Sequence, residues 1–282
     1  MYSIYHFFYS LTLNKEHFLK SGKLENFPFD KSLLSCVNKG IFPDLAIRIN
    51  KDKGDFTGGE LIELKDSASY SVSSFNSTIP SRKKNISAVI SDEHGSMYKQ
   101  MQEAGNDIYS LPERDVFYLI RGRKKKLTKV CLISGAFFET ISIENLIQKS
   151  FFQVFEENVK EHNIQVDPAT KEMLRDMFSK QKNFSRVRDV EKASVKLRFR
   201  IMTEVKAEGN ILNSQKYPLI LDNTFNFLVP CDTEAEEKRY VDIMKNVFGK
   251  KRFAELNVFK IKHHFNGYFL VFQTPLKDQA KQ

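Results

Sequence analysis

Three side chains within residues 42–66, FPDLAIRINKDKGDFTGGELIELKD, are of types that can do chemistry together: Asp44, Glu63 and Lys65. Two carboxylates supply the hard oxygens that magnesium takes, an ion that keeps several waters and shares phosphate oxygens with its substrate. A bound magnesium polarises a phosphoryl group and lowers the pKa of a coordinated water. An amine beside it orients that water or stabilises developing negative charge. The set is the minimum equipment for hydrolysing a phosphodiester. The backbone carbonyl of Leu64 is a further candidate ligand. A solvated edge strand with a surface ion pair, worth about 0–1 kcal/mol, would carry the same residue types. The surrounding residues separate the two cases.

Side chains alternate faces along a strand. Glu63 and Lys65 therefore share a face with Leu61, while Ile62 and Leu64 point the other way, toward a core. Glu60 falls on that opposite face and outside the set. The apolar run LAIRI and the run LIELK are separated by Asn, Asp and Gly residues, which is turn chemistry and predicts an antiparallel pair of strands. In such a pair the start of the first strand lies beside the end of the second, which brings Asp44 to Glu63 and Lys65. Pro43 cannot donate to a ladder and fits a strand that begins at Asp44.

The pattern Pro43-Asp44, eighteen residues, then Glu63-Leu64-Lys65 resembles the PD-(D/E)xK nuclease superfamily. The resemblance implies a Mg2+ ion held by Asp44, Glu63 and the Leu64 carbonyl, with Lys65 assisting the attacking water. The polar stretch DSASYSVSSFNSTIPSRKK resembles the segment just after the motif in some type II restriction endonucleases, where it faces DNA. Several members carry a further acid on an early helix, and both Glu16 and Glu25 stand open for that position. The expectation is a type II restriction endonuclease. It would be a homodimer that cuts a short double-stranded DNA site to leave 5′-phosphate ends, with a cognate DNA methyltransferase as its genetic partner. The alternatives are a repair or recombination nuclease without sequence preference, and a DNA-binding module whose acids are incidental.

Composition agrees with a folded, nucleic-acid-facing protein. Of 282 residues, 41% are apolar, enough for a sizeable core, and the net charge of +9 asks for an acidic partner. No apolar run approaches the ~20 residues that cross a bilayer, and the N-terminus lacks the parts of a signal peptide, so the expected location is the cytoplasm. Cys36, Cys131 and Cys231 are far apart and lie among apolar neighbours, which predicts core thiols and neither zinc nor disulfides. His263 and His264 are adjacent on a strand-like run and so face opposite ways, a poor arrangement for one metal.

The expected fold class is α/β (α+β): a mixed central sheet flanked by helices, restriction-endonuclease-like, with a strand-rich C-terminal part. Residues 1–140 would form the core carrying the metal site. Residues 141–282 would add a helical segment and strands that complete the core and contact DNA or a dimer partner. Residues 1–40 read as helical, with a helix over 31–39 capped by Asp30, and a helix over 95–104 comes after the motif. Strands are predicted over 115–121, 128–134, 195–205, 218–229, 257–264 and 268–274. Helices fill 142–188, with a break at Asp167-Pro168, and 233–248, capped by Asp232 or Thr233. Asn266-Gly267 marks a hairpin.

Three basic clusters are candidate DNA contacts. Arg82, Lys83 and Lys84 lie soon after the motif. Arg121, Arg123, Lys124, Lys125 and Lys126 crowd a turn, and Arg186, Arg188, Lys196, Arg198 and Arg200 run from a helix into a strand. Ser73, Ser74, Asn76 and Ser77 could also read or position DNA. Phosphate contacts would supply affinity and base-edge contacts sequence choice.

Overall fold

A computed structural model describes residues 34–36, 42–47, 49, 58–72, 74–76, 80–90, 96–103, 108–139, 143–179, 191–192, 195–196, 202–204 and 207–276. The chain divides into two compact units, one of residues 1–139 with 203–282 and the other of residues 140–202. The expected boundary near 140 thus marks the start of an insertion. Residues 203–282 return to the first unit because their strands join the sheet begun before it.

The first unit is built on a nine-stranded mixed sheet. Strands β1 (Leu34–Cys36), β2 (Leu45–Ile47) and β3 (Leu61–Ser67) form an antiparallel meander at one edge. Next comes β6 (Glu113–Lys124), parallel to β3, then β7 (Leu127–Ser134), antiparallel to β6. Strand β11 (Thr224–Pro230) lies parallel to β7, followed by β13 (Gly267–Pro275) and β12 (Asn257–His263), both in antiparallel contacts. Strand β5 (Lys83–Asn85) pairs with the start of β6, and β4 (Ser74–Asn76) pairs apart from the sheet with β10 (Met202–Glu204).

Both sheet faces carry buried apolar side chains. One face carries Leu61, Val116, Tyr118, Ile120, Cys131, Ile133, Leu228 and Val271, packed with Ile86 of α1 (Ile86–Val89) and Met101 of α2 (Ser96–Glu103). The other carries Leu45, Ile62, Leu119, Val130 and Phe225. Farther along the molecule, Tyr240, Val241 and Met244 of α5 (Glu234–Phe253) pack on Val229, Leu270 and Phe272. Each such side chain taken wholly from water contributes roughly 1.5–3 kcal/mol. Thr233 caps α5 in a capping box with Glu236, satisfying two orphan N-terminal N–H groups.

The second unit contains α3 (Ile143–Glu161) and α4 (Pro168–Ser179), joined by Lys171–Glu156 at 3.7 Å and by Arg175 over the Phe152 ring at 4.6 Å. Asp167 accepts the Thr170 N–H at 2.9 Å and so caps α4. Strands β8 (Glu191–Lys192) and β9 (Val195–Lys196) make a short hairpin.

Several expectations change. Within the helix expected over 31–39, the described residues Leu34–Cys36 form β1 instead, because they pair with β2 at the sheet edge. The strand over 218–229 begins only at Thr224, after turns through Pro218 and Asp222-Asn223. Of the strand over 195–205, β9 and β10 fall within the described residues. The strand pair near 115–134 is longer than expected and turns on Lys125-Lys126, with Lys125 at φ +58°. A non-glycine residue there costs ~1–2 kcal/mol. Among the described residues no helix is long and apolar enough to cross a membrane.

Candidate active site

The register of β2 and β3 decides how the corner is built. Leu45 pairs with Ile62 and Ala46 with Leu61, and the bridge between Ile49 and Gly58 keeps the same register down the hairpin. Gly59 sits at φ +91°, a conformation that favours glycine on the approach to β3, and an added Cβ would lie 2.9 Å from the Leu111 Cδ2. Continuing the ladder one step sets Asp44 opposite Glu63. The Ile47 N–H bonds to the Glu60 carbonyl at 2.9 Å, which makes that pair, and by alternation Leu45–Ile62 and Pro43–Leu64, the hydrogen-bonded ones. Asp44–Glu63 is then a non-hydrogen-bonded pair, the kind whose side chains come closest.

Pro43 now has a physical role. A residue there with an N–H would bond the Leu64 carbonyl, and proline cannot. The Leu64 N–H is taken instead by the Asp44 side chain, whose Oδ2 accepts it at 2.7 Å. That bond fixes the Asp44 carboxylate over the end of β3. The Leu64 carbonyl, on the same side of its strand, receives no ladder donor from Pro43.

Glu63 and Lys65 share the face expected. The Lys65 ammonium donates to Glu63 Oε1 at 2.8 Å, with both side chains half-buried. Glu63 Oε2 is buried and has no hydrogen-bond partner. Burial pushes the Glu63 carboxyl above the usual glutamate range; the Lys65 hydrogen bond and charge oppose that shift, and the Asp44 charge adds to it. Beneath them Tyr118 pairs in register with Glu63, is 1% exposed, and meets Phe138 edge-on at 5.1 Å. Burial first and the Glu63 charge second push its hydroxyl well above the usual tyrosine range.

An unpartnered, desolvated carboxylate oxygen facing a second carboxylate is a position that a divalent cation satisfies. Among the described residues no group of three or more His, Cys, Asp or Glu is assembled for a metal. Two carboxylates and one carbonyl suit an ion that retains waters, which is magnesium's habit, and do not suit an all-protein cage. The residues present fit the group.

Other expectations meet the structure unevenly. Leu64 is 40% exposed, so it is not a core residue; the face opposite Glu63 is uncovered at that end of β3. Arg82 and Lys83 are exposed, whereas Lys84 is half-buried with its ammonium 5.4 Å from the Phe42 ring, next to Pro43-Asp44. Arg121 grips Asp66 through two bonds of 2.8 Å and Arg123 adds a third at 3.0 Å. Alternation puts this trio on the sheet face opposite Glu63 and Lys65. Lys124, Lys125 and Lys126 are exposed. Ser74 and Asn76 lie on β4 and Lys196 on β9. Glu16, Glu25, Ser73, Ser77, Arg186, Arg188, Arg198 and Arg200 lie outside the described residues. His263 is 4% exposed, and its Nδ1 accepts the N–H groups of Phe265 and Asn266 at 3.2 and 3.1 Å, tying down the hairpin turn. Cys131 and Cys231 are buried thiols, and burial pushes Cys131 up to about 12.

Two participants escaped the sequence. Tyr118 looks like any apolar residue of DVFYLIR, and only the β3–β6 register shows it under Glu63. Asp66 sits beside Lys65 in sequence, yet it holds arginines that are 55 and 57 residues away. Comparison with protein-family models, with curated proteins and with solved structures gives no match.

Proposed function

We propose that this protein is a magnesium-dependent deoxyribonuclease of the PD-(D/E)xK kind, and within that kind a type II restriction endonuclease. The observation that carries the reading is the facing pair Asp44 and Glu63, with Glu63 Oε2 buried and unpartnered and Lys65 bonded to Oε1. Asp44, Glu63 and the Leu64 carbonyl would hold the ion. When bound, magnesium supplies polarisation of the scissile phosphate and an acidified water.

The chain's own residues do the rest. Asp44 is pre-set by the Leu64 N–H, so little reorganisation accompanies ligation. Lys65 is poised to orient the attacking water and to balance charge that builds on the phosphate oxygens. Tyr118 walls the carboxylates off from the core side. Attack of the water on phosphorus with O3′ as the leaving group breaks the P–O3′ bond and leaves 5′-phosphate and 3′-hydroxyl ends. A homodimer would place two such corners on the two strands of a palindromic site, and a cognate methyltransferase would protect the host's own sites.

Incubating the protein with plasmid DNA and magnesium, then sequencing the ends, tests the reading. Discrete fragments with 5′-phosphates are expected. A smear would keep the nuclease and remove site specificity, and DNA left intact would overturn the proposal.

A further inference from the structure

The tip of the β6–β7 hairpin departs from its own best turn chemistry. Two-residue hairpin turns favour Asn, Asp or Gly where φ is positive. Here the turn is Lys125-Lys126, with Lys125 at φ +58° and Lys124 immediately before it. Three adjacent ammonium groups also repel one another. The other cations of the arm's β6 strand near the tip, Arg121 and Arg123, share one carboxylate, Asp66. Lys124, Lys125 and Lys126 are all exposed, and among the described residues no carboxylate forms an ion pair with them. A turn that gives up local stability for concentrated charge implies a ligand for that charge.

Register places the tip relative to the corner. Lys65 stands level with Ile120, and Lys124 lies four residues farther along the same strand. At about 3.3 Å per residue the arm projects ~13 Å past Lys65. The arm leaves the sheet at the end of β3 that carries Asp44, Glu63 and Lys65. Alternation turns Lys124 toward the face of Glu63 and Lys65, while Asp66 braces the other face.

We propose that Lys124, Lys125 and Lys126 grip the phosphate backbone of duplex DNA roughly four nucleotides from the bond held at the corner, since one strand rises about 3.4 Å per nucleotide. The choice of DNA as ligand rests on the nuclease reading; the presence of a ligand for the charge rests on the turn. The contact is sequence-independent and acts through charge, so it sets affinity and its salt dependence and leaves base choice to other residues.

The double substitution Lys125→Gly, Lys126→Asn separates fold from function, because glycine relieves the positive φ at position 125 while both charges are removed. Binding to a 30-base-pair duplex is measured without divalent metal between 50 and 200 mM salt. The variant is expected to keep or raise its melting temperature and to bind about tenfold or more weakly at 0.1 M salt. The slope of log K against log salt should shrink in magnitude by about 1.8. Lys125→Arg, Lys126→Arg should restore both. Unchanged affinity and slope in the Gly/Asn variant would overturn the proposal, as would a loss that the arginine variant fails to restore. Because no cleavage is read, the outcome is independent of the corner: Asp44→Ala cutting normally would sink the nuclease reading and leave this result standing.

Discussion

Two polar groups are sunk into the same sheet face, three strands apart, and they are satisfied differently. On β11 the Asn226 amide donates to the Val130 carbonyl at 3.3 Å and to Thr224 Oγ1 at 2.9 Å, and its oxygen accepts from Gln273 at 2.8 Å. Gln273 also donates to the Leu219 carbonyl and accepts from Asn257. Close by, the buried Lys129 donates to Ser214 at 2.8 Å and stands 3.7 Å from Asp222. At the β2–β3 corner Glu63 Oε2 is buried without a hydrogen-bond partner. A buried polar atom without a partner costs about 1–3 kcal/mol, more if charged. The Asn226 network closes on itself and holds the sheet together. The corner leaves one buried carboxylate oxygen without a hydrogen-bond partner.

That contrast can be broken from either side. The largest effect belongs to the corner: Asp44→Ala and Lys65→Ala should each slow DNA cleavage by roughly 10²–10⁴-fold, with duplex binding kept. Normal cleavage by both in magnesium would remove the site. In the closed network the effect moves to stability. Asn226→Leu removes the buried hydrogen bonds to Gln273, Thr224 and the Val130 carbonyl and should lower stability by about 2–3 kcal/mol, read by urea unfolding, while cleavage per folded molecule stays the same.

Glu63→Gln tests the sign of the electrostatics. A carboxyl raised by burial favours the folded state when protonated, so its contribution is present below the ordinary glutamate pKa and is lost as pH rises through the elevated folded value. Without metal, the glutamine variant should therefore melt about 1–3 °C higher than wild type at pH 7, with the difference vanishing below about pH 4. A lower melting temperature at pH 7 would contradict the corner's being underpaired. Cleavage should also fade on acidification at a pH above the ordinary glutamate value, because ligation needs the ionised form. The smallest effect is expected at Asp66→Ala. Exposed ion pairs contribute about 0–1 kcal/mol, and the trio faces away from Glu63, so both melting and cleavage should barely move.

The geometry of the candidate corner was more legible than the fold around it, and physical reasons explain the difference. Pro43-Asp44, the glycines before Leu61 and the alternation of LIELK specify an antiparallel pair almost unaided, and the structure builds that pair with Asp44 at the end of β3. Asn266-Gly267 and Thr233 likewise announce the last hairpin and α5, since turn and cap chemistry are local. The run LLSCV carries no local rule that separates helix from strand, and pairing with β2 decides it for Leu34–Cys36. Asn226 and Gln273 interrupt apolar runs without any signal that they meet across strands. Leu64 shows a limit of periodicity: alternation gave its face correctly, and the absence of a covering layer there leaves it exposed.

Everything at the corner turns on Asp44 and Glu63 together holding a divalent cation. Titrating Mn2+ into the protein with bound duplex DNA, and following free Mn2+ by electron paramagnetic resonance, tests this most directly. Wild type should retain Mn2+, with magnesium competing it off, and Asp44→Ala and Glu63→Gln should each lose that retention while still binding DNA. Equal retention by all three proteins would place the cation elsewhere and contradict the account.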